Sequence, residues 1–415
     1  MNRYIKLFIV IVVAIIGYFT YLYIKEKTTD WGHKVVLCVP VYGQSLALGE
    51  EAVRITNFDS LKIKYNGRIV NENLSYQFGC YSDKNWKIHI KRFIHDHKRS
   101  FELSIYSMSE VLASKLGNDT IICIFPGGMG ATPIWKFQKT GHIYARFLSD
   151  IENAYKQAKK RDWDFYLPAI CWMQGESDIV DYTEGNYKEM LKQICTNINK
   201  DVKRITHQKN DIRFICYQPN CLSLAPKFDK NDYQCIETRV AQDFVDLIVD
   251  DTLFWASGPT YPYHFVEDRV HIDALGQQHI GFLEAEAVLN IIRRGDKTYG
   301  VIPQTVFSQN NDILIKFHVP YPPLVFDTIS VKHIENYGFS VITKDGKNIL
   351  SDISIEGDTI RLSCKQSPIN SRVRYAVNGK KKRSGYEHGP RGNLRDSHTL
   401  KHWCYQFDML VEKKE

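Results

Sequence analysis

Four short stretches carry residue types that could together perform acyl transfer. Ser45 stands in Val35–Gly49, VVLCVPVYGQSLALG, where a continuous apolar run breaks at Tyr42-Gly43-Gln44-Ser45. An apolar run closed by a turn signal fits a strand buried on both faces. Ser45 would then lie at the carboxyl end of that strand, near the start of a helix. There its hydroxyl can attack a carbonyl while unpaired backbone N–H groups face the developing oxyanion. Asp268 and His271, in DRVHID, are three residues apart. The carboxylate can fix the imidazole tautomer, and the imidazole can take the serine proton and return it to the leaving group. Gly130, in PGGMGATPIW, and Gln174, in WMQGESD, could add a backbone N–H and a side-chain amide to an oxyanion hole whose first donor is the N–H of Ser45. Taken singly, each has an ordinary reading: an N-cap serine, a turn glycine, a surface amide, a chance Asp-x-x-His. Glu176 reads alone as a carboxylate opening a helix. Their order along the chain argues otherwise.

That order requires elements that end together. Thr120 to Phe125, Phe165 to Cys171 and Ile212 to Tyr217 are further strand-like runs after Val35 to Val41. Between them lie helical stripes: Ile143, Phe147, Ile151 and Tyr155, then Tyr187, Leu191, Ile194 and Ile198. Asp232 to Val249 is expected to be helical, Trp255 to Val270 a Pro- and aromatic-rich loop, and Ile280, Leu283, Ala287 and Ile291 a closing helix. Alternation of this kind predicts a parallel sheet covered by helices on both faces, with ligands at its carboxyl edge. Glu50 to Phe101 lacks clean periodicity and is expected to form loops and short strands over that edge. Its His95-Asp96-His97 reads as solvated loop, since no third ligand suggests a metal.

After Arg294 the texture changes to short alternating or β-branched runs: Ile313 to Val319, Phe339 to Thr343, Thr359 to Ser363 and Arg372 to Val377. Turns such as Asp345-Gly346 and Asn378-Gly379 separate them, which predicts a small all-β domain. The boundaries expected are an anchor over 1–30, an α/β domain over 31–296 and a β-domain with a Gly-rich basic tail over 297–415. Leu7 to Ile24 is apolar enough, and as a helix would be long enough at roughly 27 Å, to cross a bilayer core. No small-residue cleavage site follows it, so an uncleaved N-terminal transmembrane helix is expected.

Composition sets the remaining limits. A chain of 415 residues exceeds one ordinary core. The net charge of +7 is mild, and no nucleic-acid-binding motif accompanies it. Cys38, Cys123, Cys171 and Cys216 fall in apolar runs and read as small buried residues, while Cys221 and Cys235 could pair. Tyr42, Trp135, Trp172, Trp255, Tyr261 and Tyr263 could offer sugar-stacking faces, although core packing is the expected role of at least half.

YGQSLALG, GATPIW, CWMQGESD and DRVHID resemble the four blocks of the SGNH hydrolases, in the branch of sialate O-acetylesterases and acetylxylan esterases. That branch carries GQSN, GGTS-I-x-x-W, W-x-QGE-x-D and D-x-x-H. The likeness spans about Val35 to Arg293. It implies a flavodoxin-like three-layer α/β sandwich, with Ser45 as nucleophile, His271 as base, Asp268 as its orienting partner and Gly130 and Gln174 completing the oxyanion hole. Glu176 would brace its block. Leu46 stands where the family has Asn, and Ala131 where it has a second Gly. The implied activity is a serine carbohydrate O-acetylesterase acting on an acetylated oligo- or polysaccharide, with no metal or other cofactor. An anchored glycan O-acetyltransferase and a non-catalytic glycan-binding protein are the alternatives. The expected location is the periplasmic or extracellular side of a membrane. The Gly-rich stretch at Arg391-Gly392-Asn393 is expected to pack near the active-site rim.

Overall fold

The computed structural model describes residues 33–72, 101–181, 186–297 and 300–413, with positions 11, 12, 14, 15, 17 and 18. Most of the expected N-terminal anchor, and all of His95-Asp96-His97, lie outside the described residues. Among the described residues no helix is long and apolar enough to cross a membrane.

The first expected strand is two pieces, β1 (Val35–Cys38) and β2 (Val41–Gly43). After a short strand β3 (Ile69–Val70), the second and third are also split, into β4 (Thr120–Cys123) with β5 (Pro126–Gly128), and β6 (Asp164–Tyr166) with β7 (Ala169–Met173). A proline stands at or beside each break: Pro40, Pro126 and Pro168. Proline has no N–H to give to the ladder, so pairing is interrupted at about the same level across three neighbouring strands. Two further strands, β8 (Arg213–Gln218) and β9 (Phe254–Pro259), complete the sheet. Pairing is parallel throughout, with Val35 opposite Thr120 and Asp164, Val41 opposite Cys171, and Phe214 opposite Phe254. The ladders run β3-β4-β1-β6 and β5-β2-β7-β8-β9. Counting each split strand once and leaving aside the edge strand β3, the order is 2-1-3-4-5. That is the flavodoxin-like order, whose crevice opens at the carboxyl ends next to strand 1.

Strand residues alternate between two apolar layers. Val36 and Cys38 join the layer beneath three helices, α3 (His142–Lys160), α5 (Tyr187–Thr206) and α6 (Arg239–Asp250). Leu37 and Val39 join the layer beneath α2 (Ser104–Lys115) and α7 (Ala274–Arg293). The predicted stripes on α3 and α5 face the sheet as expected. Two elements differ from expectation. Residues 254–259, all but the first of them expected within a loop, are strand β9, whose FWASGP sequence lacks a β-branched run. Helix α2 was not foreseen, because its apolar residues do not form one stripe: its serines at 104, 107 and 109 are buried too. The helix expected from Asp232 begins only at Arg239, after a 3-10 turn at Ile236–Thr238. Short helices α1 (Phe58–Lys64) and α4 (Glu176–Val180) are also present.

The C-terminal region is all β, as its texture predicted. In chain order its strands are β10 (Ile302–Gln309), β11 (Asp312–His318), β12 (Val325–Phe326), β13 (Phe339–Ile342), β14 (Leu350–Glu356), β15 (Thr359–Cys364), β16 (Arg372–Tyr375), β17 (Leu394–Arg395), β18 (Phe407–Leu410) and β19 (Glu412–Lys413). They form sheets ordered β14-β15-β11-β10-β19, β13-β16-β18 and β12-β17. The apolar layer beneath α3, α5 and α6 runs on without interruption into this region, from Phe214 and Phe244 to Tyr405 and Phe407. Polar contacts cross the same boundary. Gln218 and Gln406 exchange two bonds of 2.7 and 2.8 Å, and the Tyr405 hydroxyl bridges Gly258 N and Cys216 O. All described cysteines, Cys221 and Cys235 included, are buried free thiols.

Asp408 is the most heavily used of these contacts. Its buried carboxylate accepts from Arg372 Nε at 2.6 Å, from the fully buried Arg374 at 2.9 Å and from Thr238 Oγ1 at 2.7 Å. Removing one member of a buried, hydrogen-bonded ion cluster leaves the other charge uncompensated. Asp408→Ala should therefore lower unfolding stability by about 3–5 kcal/mol, and Asp408→Asn by less. Equilibrium denaturant unfolding checks this, and an unchanged midpoint for Asp408→Ala would contradict it.

Candidate active site

β2 delivers Ser45 to the carboxyl edge. Gln44 N still donates to Met173 O at 2.9 Å, and Ser45 then opens a 3-10 turn, Ser45–Leu48, closed by Gly49 at φ 66°. Gly43 admits no side chain, since a Cβ there would lie 1.9 Å from Met173 O. The turn is tied from behind by Gln277 of α7, which donates to Leu46 O at 3.0 Å and accepts from Ser104 N at 3.1 Å. Leu46, at the family's Asn position, is buried in the α2–α7 layer. Ser45 itself is 4% exposed. Among the described residues its N–H has no partner.

Gly130 follows β5. Its N–H is also without a partner among the described residues. Ala131, where the family has Gly, takes the left-handed conformation at φ 47°. A non-glycine residue there stores strain of the order of 1 kcal/mol. The loop is fixed to the QGESD block through Asp178, whose carboxylate accepts from Ile134 N at 3.0 Å and from Gln174 Nε2 at 2.5 Å.

Gln174 departs from expectation. Its two amide hydrogens point to the Asp178 carboxylate and to acceptors at Thr132 O (3.1 Å) and Gln44 Oε1 (3.3 Å), while its Oε1 accepts from the Tyr187 hydroxyl at 2.9 Å. In this conformation it braces two blocks and presents no hydrogen to an oxyanion. Glu176 is buried at the start of α4, with Oε1 bonded to the Tyr217 hydroxyl and Oε2 unpartnered. Burial raises its pKa to about 7, against the opposing pull of Tyr217, its own backbone and His271.

The third piece is the loop between β9 and α7. Asp268 Oδ1 accepts from Val270 N at 2.8 Å and His271 N at 3.0 Å, and Oδ2 meets His271 Nδ1 at 2.5 Å. Val266 N donates to His271 O at 2.9 Å, closing the turn, and Arg269 sits at φ 65° within it. Asp273 then caps α7 through Gly276 N at 2.9 Å. His271 Nε2 is buried and has no partner among the described residues, and the Ser45 hydroxyl is not hydrogen-bonded to it. Burial disfavours charge on His271, but the hydrogen bond and field of Asp268, then Glu50 and Glu176, outweigh it, so its pKa lies above the ordinary 6.5. Burial likewise raises the Asp268 carboxyl, yet His271 and the two backbone donors bring it below its ordinary value. Glu50, which the sequence reading passed over, therefore belongs to the site's electrostatics. It also lies against Gly130, where a Cβ would come within 2.7 Å of Glu50 Oε1.

The tail reaches this loop, but not through the residues expected. Arg391 and Asn393 are bonded within the β-region, to Lys332, His333, Asp327 and Val331. The contact is made by residues 382–386. Arg269 Nη1 donates to Lys382 O at 3.1 Å, Tyr386 N to Tyr263 O at 3.4 Å, and Lys382 N to Ser223 O at 3.0 Å. Of the six aromatic side chains considered for sugar stacking, five are buried and Trp135 alone is exposed, at 52%. His264, half exposed, stands 3.7 Å from Asp273 and is not part of the Asp268–His271 pair. Among the described residues no group of three or more His, Cys, Asp or Glu could hold a metal ion.

The carboxyl edge of the parallel sheet thus gathers a serine turn, two backbone N–H groups without a partner among the described residues, and a carboxylate-held imidazole. Residues 98–290 match the family model described as carbohydrate esterase, sialic acid-specific acetylesterase. Over that stretch, a little under half of the chain, the sequence is similar to the sialate O-acetylesterase-like branch, which supports a carboxylic ester hydrolase. A carbohydrate acetylesterase from Xanthomonas citri shares the fold: 14% identity, TM-score 0.57, covering 90% of this chain and 80% of that one. Weaker likenesses are to an Arabidopsis thaliana protein (16% identity, TM-score 0.44, 62% of this chain and 99% of that) and to NanS (13%, 0.43, 63% and 99%). The comparison with curated proteins gave no match.

Two outcomes follow from this geometry. A base must be neutral to accept a proton, so kcat/KM should rise with pH through a pKa above 6.5. Asp268→Asn should lower kcat roughly a thousand-fold or more and move the acid limb to lower pH, as a pH–rate profile on an aryl acetate will show. A protein ended after Arg294 should lose most activity, because the strap on the histidine loop and the shared core go with it. Full activity in such a soluble truncation would contradict this role.

Proposed function

We propose that the protein is a serine carbohydrate O-acetylesterase that removes acetyl groups from a surface or dietary glycan. The observation that carries the reading is the Asp268–His271 pair with its outer nitrogen buried and unpartnered, on the sheet edge that also presents Ser45. In the first half-reaction Ser45 Oγ attacks the acetyl carbonyl carbon and His271 Nε2 takes the hydroxyl proton. The oxyanion meets the N–H groups of Ser45 and Gly130. On collapse the bond from the carbonyl carbon to the sugar oxygen breaks, and His271 returns the proton to that oxygen. Acetyl remains on Ser45. In the second half His271 removes a proton from water, water oxygen attacks the acyl carbon, and acetate leaves as the proton returns to Ser45 Oγ.

Imidazole and hydroxyl must still move into bonding distance, as is ordinary for a site without substrate. Gln174 and Glu176 act here as bracing groups. The apolar stretch at Leu7 to Ile24 supports a single N-terminal anchor with the catalytic region on the periplasmic or extracellular side, where glycans are found.

Acetate release from a panel of acetylated glycans tests the reading. Wild type should release acetate to water without an added acceptor. Ser45→Ala should lose at least roughly a thousand-fold of that rate. Acetate moved only to an added sugar, or full activity in Ser45→Ala, would overturn it.

A further inference from the structure

Strand β8 also leads a side chain to this edge, and nothing among the described residues satisfies it. Asn220 stands two residues beyond β8, which lies in the sheet between β7, leading to Gln174 and Glu176, and β9, leading to His271. Asn220 is 2% exposed, and among the described residues neither its Oδ1 nor its Nδ2 has a hydrogen-bond partner. Its neighbours hold it in place. Pro219 packs against Gly175, where a Cβ would lie 2.8 Å from Pro219 Cγ. Cys221 Sγ lies 3.8 Å from Glu176 O. Ser223 is clasped by the tail, its Oγ accepting from Arg383 N at 3.2 Å.

Two more buried polar atoms without a partner among the described residues come from the segments after the flanking strands, Glu176 Oε2 and His271 Nε2. The charges of these two side chains act on each other. A buried polar group without a partner costs about 1–3 kcal/mol, so each calls for an explanation. Three such side chains, on the segments that follow three adjacent strands, indicate a ligand that supplies the missing partners.

The carboxamide narrows the chemistry of that ligand. It offers one acceptor beside one pair of donors, so its complement is two neighbouring oxygens, one of which carries a hydrogen. An aryl acetate has no such pair. A sugar with a free hydroxyl beside the acetylated position does.

We propose that Asn220 is a specificity-determining residue that hydrogen-bonds the free sugar hydroxyl adjacent to the scissile acetyl ester, so that the substrate is a partially O-acetylated sugar. This rests on the esterase reading above and extends it to the sugar's substitution pattern.

The test compares kcat/KM of wild type and Asn220→Ala on three esters: p-nitrophenyl acetate, a mono-O-acetyl pyranoside with the neighbouring hydroxyl free, and the same pyranoside with that hydroxyl replaced by hydrogen. Wild type should lose at least roughly ten-fold on the deoxy sugar. Asn220→Ala should lose about as much on the hydroxyl-bearing sugar, discriminate little between the two sugars, and keep its rate on the aryl ester. An equal deoxy effect in both proteins, or equal losses on all three esters, would overturn the proposal. The wild-type arm stands without the variant: hydrolysis of both sugars at one rate overturns the proposal alone, whereas no hydrolysis of any ester overturns the esterase reading with it.

Discussion

The site depends on one short contact, Asp268 Oδ2 to His271 Nδ1 at 2.5 Å, made within a turn of four residues. The contact fixes which ring nitrogen carries the proton and leaves Nε2 as the free one. It is also what keeps the ring's proton affinity high despite burial. The turn can hold this geometry because it is closed on every side: by Asp268 Oδ1 on two backbone N–H groups, by the Val266–His271 backbone bond, and by the capped start of α7 immediately after. Arg269 in the left-handed region is the strained residue such a tight turn needs.

The two other pieces are fixed by backbone rather than by side-chain charge. Prolines at or beside the breaks interrupt the three central strands at about one level, and the short pieces beyond the breaks, β2, β5 and β7, form the rim. Gly43 lets β2 lie close against Met173 of β7, and Asp178 pins the Gly130 loop to the same block. The C-terminal region is then more than an appendage. It shares the core of the α/β layer and places Lys382 and Tyr386 on the histidine loop. The catalytic geometry thus draws on segments separated by more than two hundred residues of chain.

Much of this was legible in the sequence because buried parallel strands and amphipathic helices announce themselves by period. Val35 to Val41 and the stripes on α3 and α5 are examples. What the sequence hid has physical causes. Strand β9 is written FWASGP, with small residues where a β-branched run would give it away. Helix α2 buries serines alongside its apolar residues and shows no clean stripe. The Gln174 amide read as a donor to substrate because its sequence position cannot reveal that Asp178, four residues on, and the Thr132 carbonyl take its hydrogens. Asn220 and Glu50 carried no signal of period or spacing, since their significance lies in neighbours distant in the chain. The tail was expected at the rim, but residues 382–386 make the contact while Arg391 turns inward.

The central claim is a covalent acetyl intermediate on one serine, formed through an imidazole held by Asp268. Rapid quenching during turnover of an acetylated substrate, followed by peptide mapping by mass spectrometry, tests it directly. The acetyl adduct should appear on the peptide bearing Ser45, and should be absent from that peptide in His271→Ala. Steady turnover with the acetyl group mapped to another residue, or an Ser45 adduct that forms equally well without His271, would contradict the account.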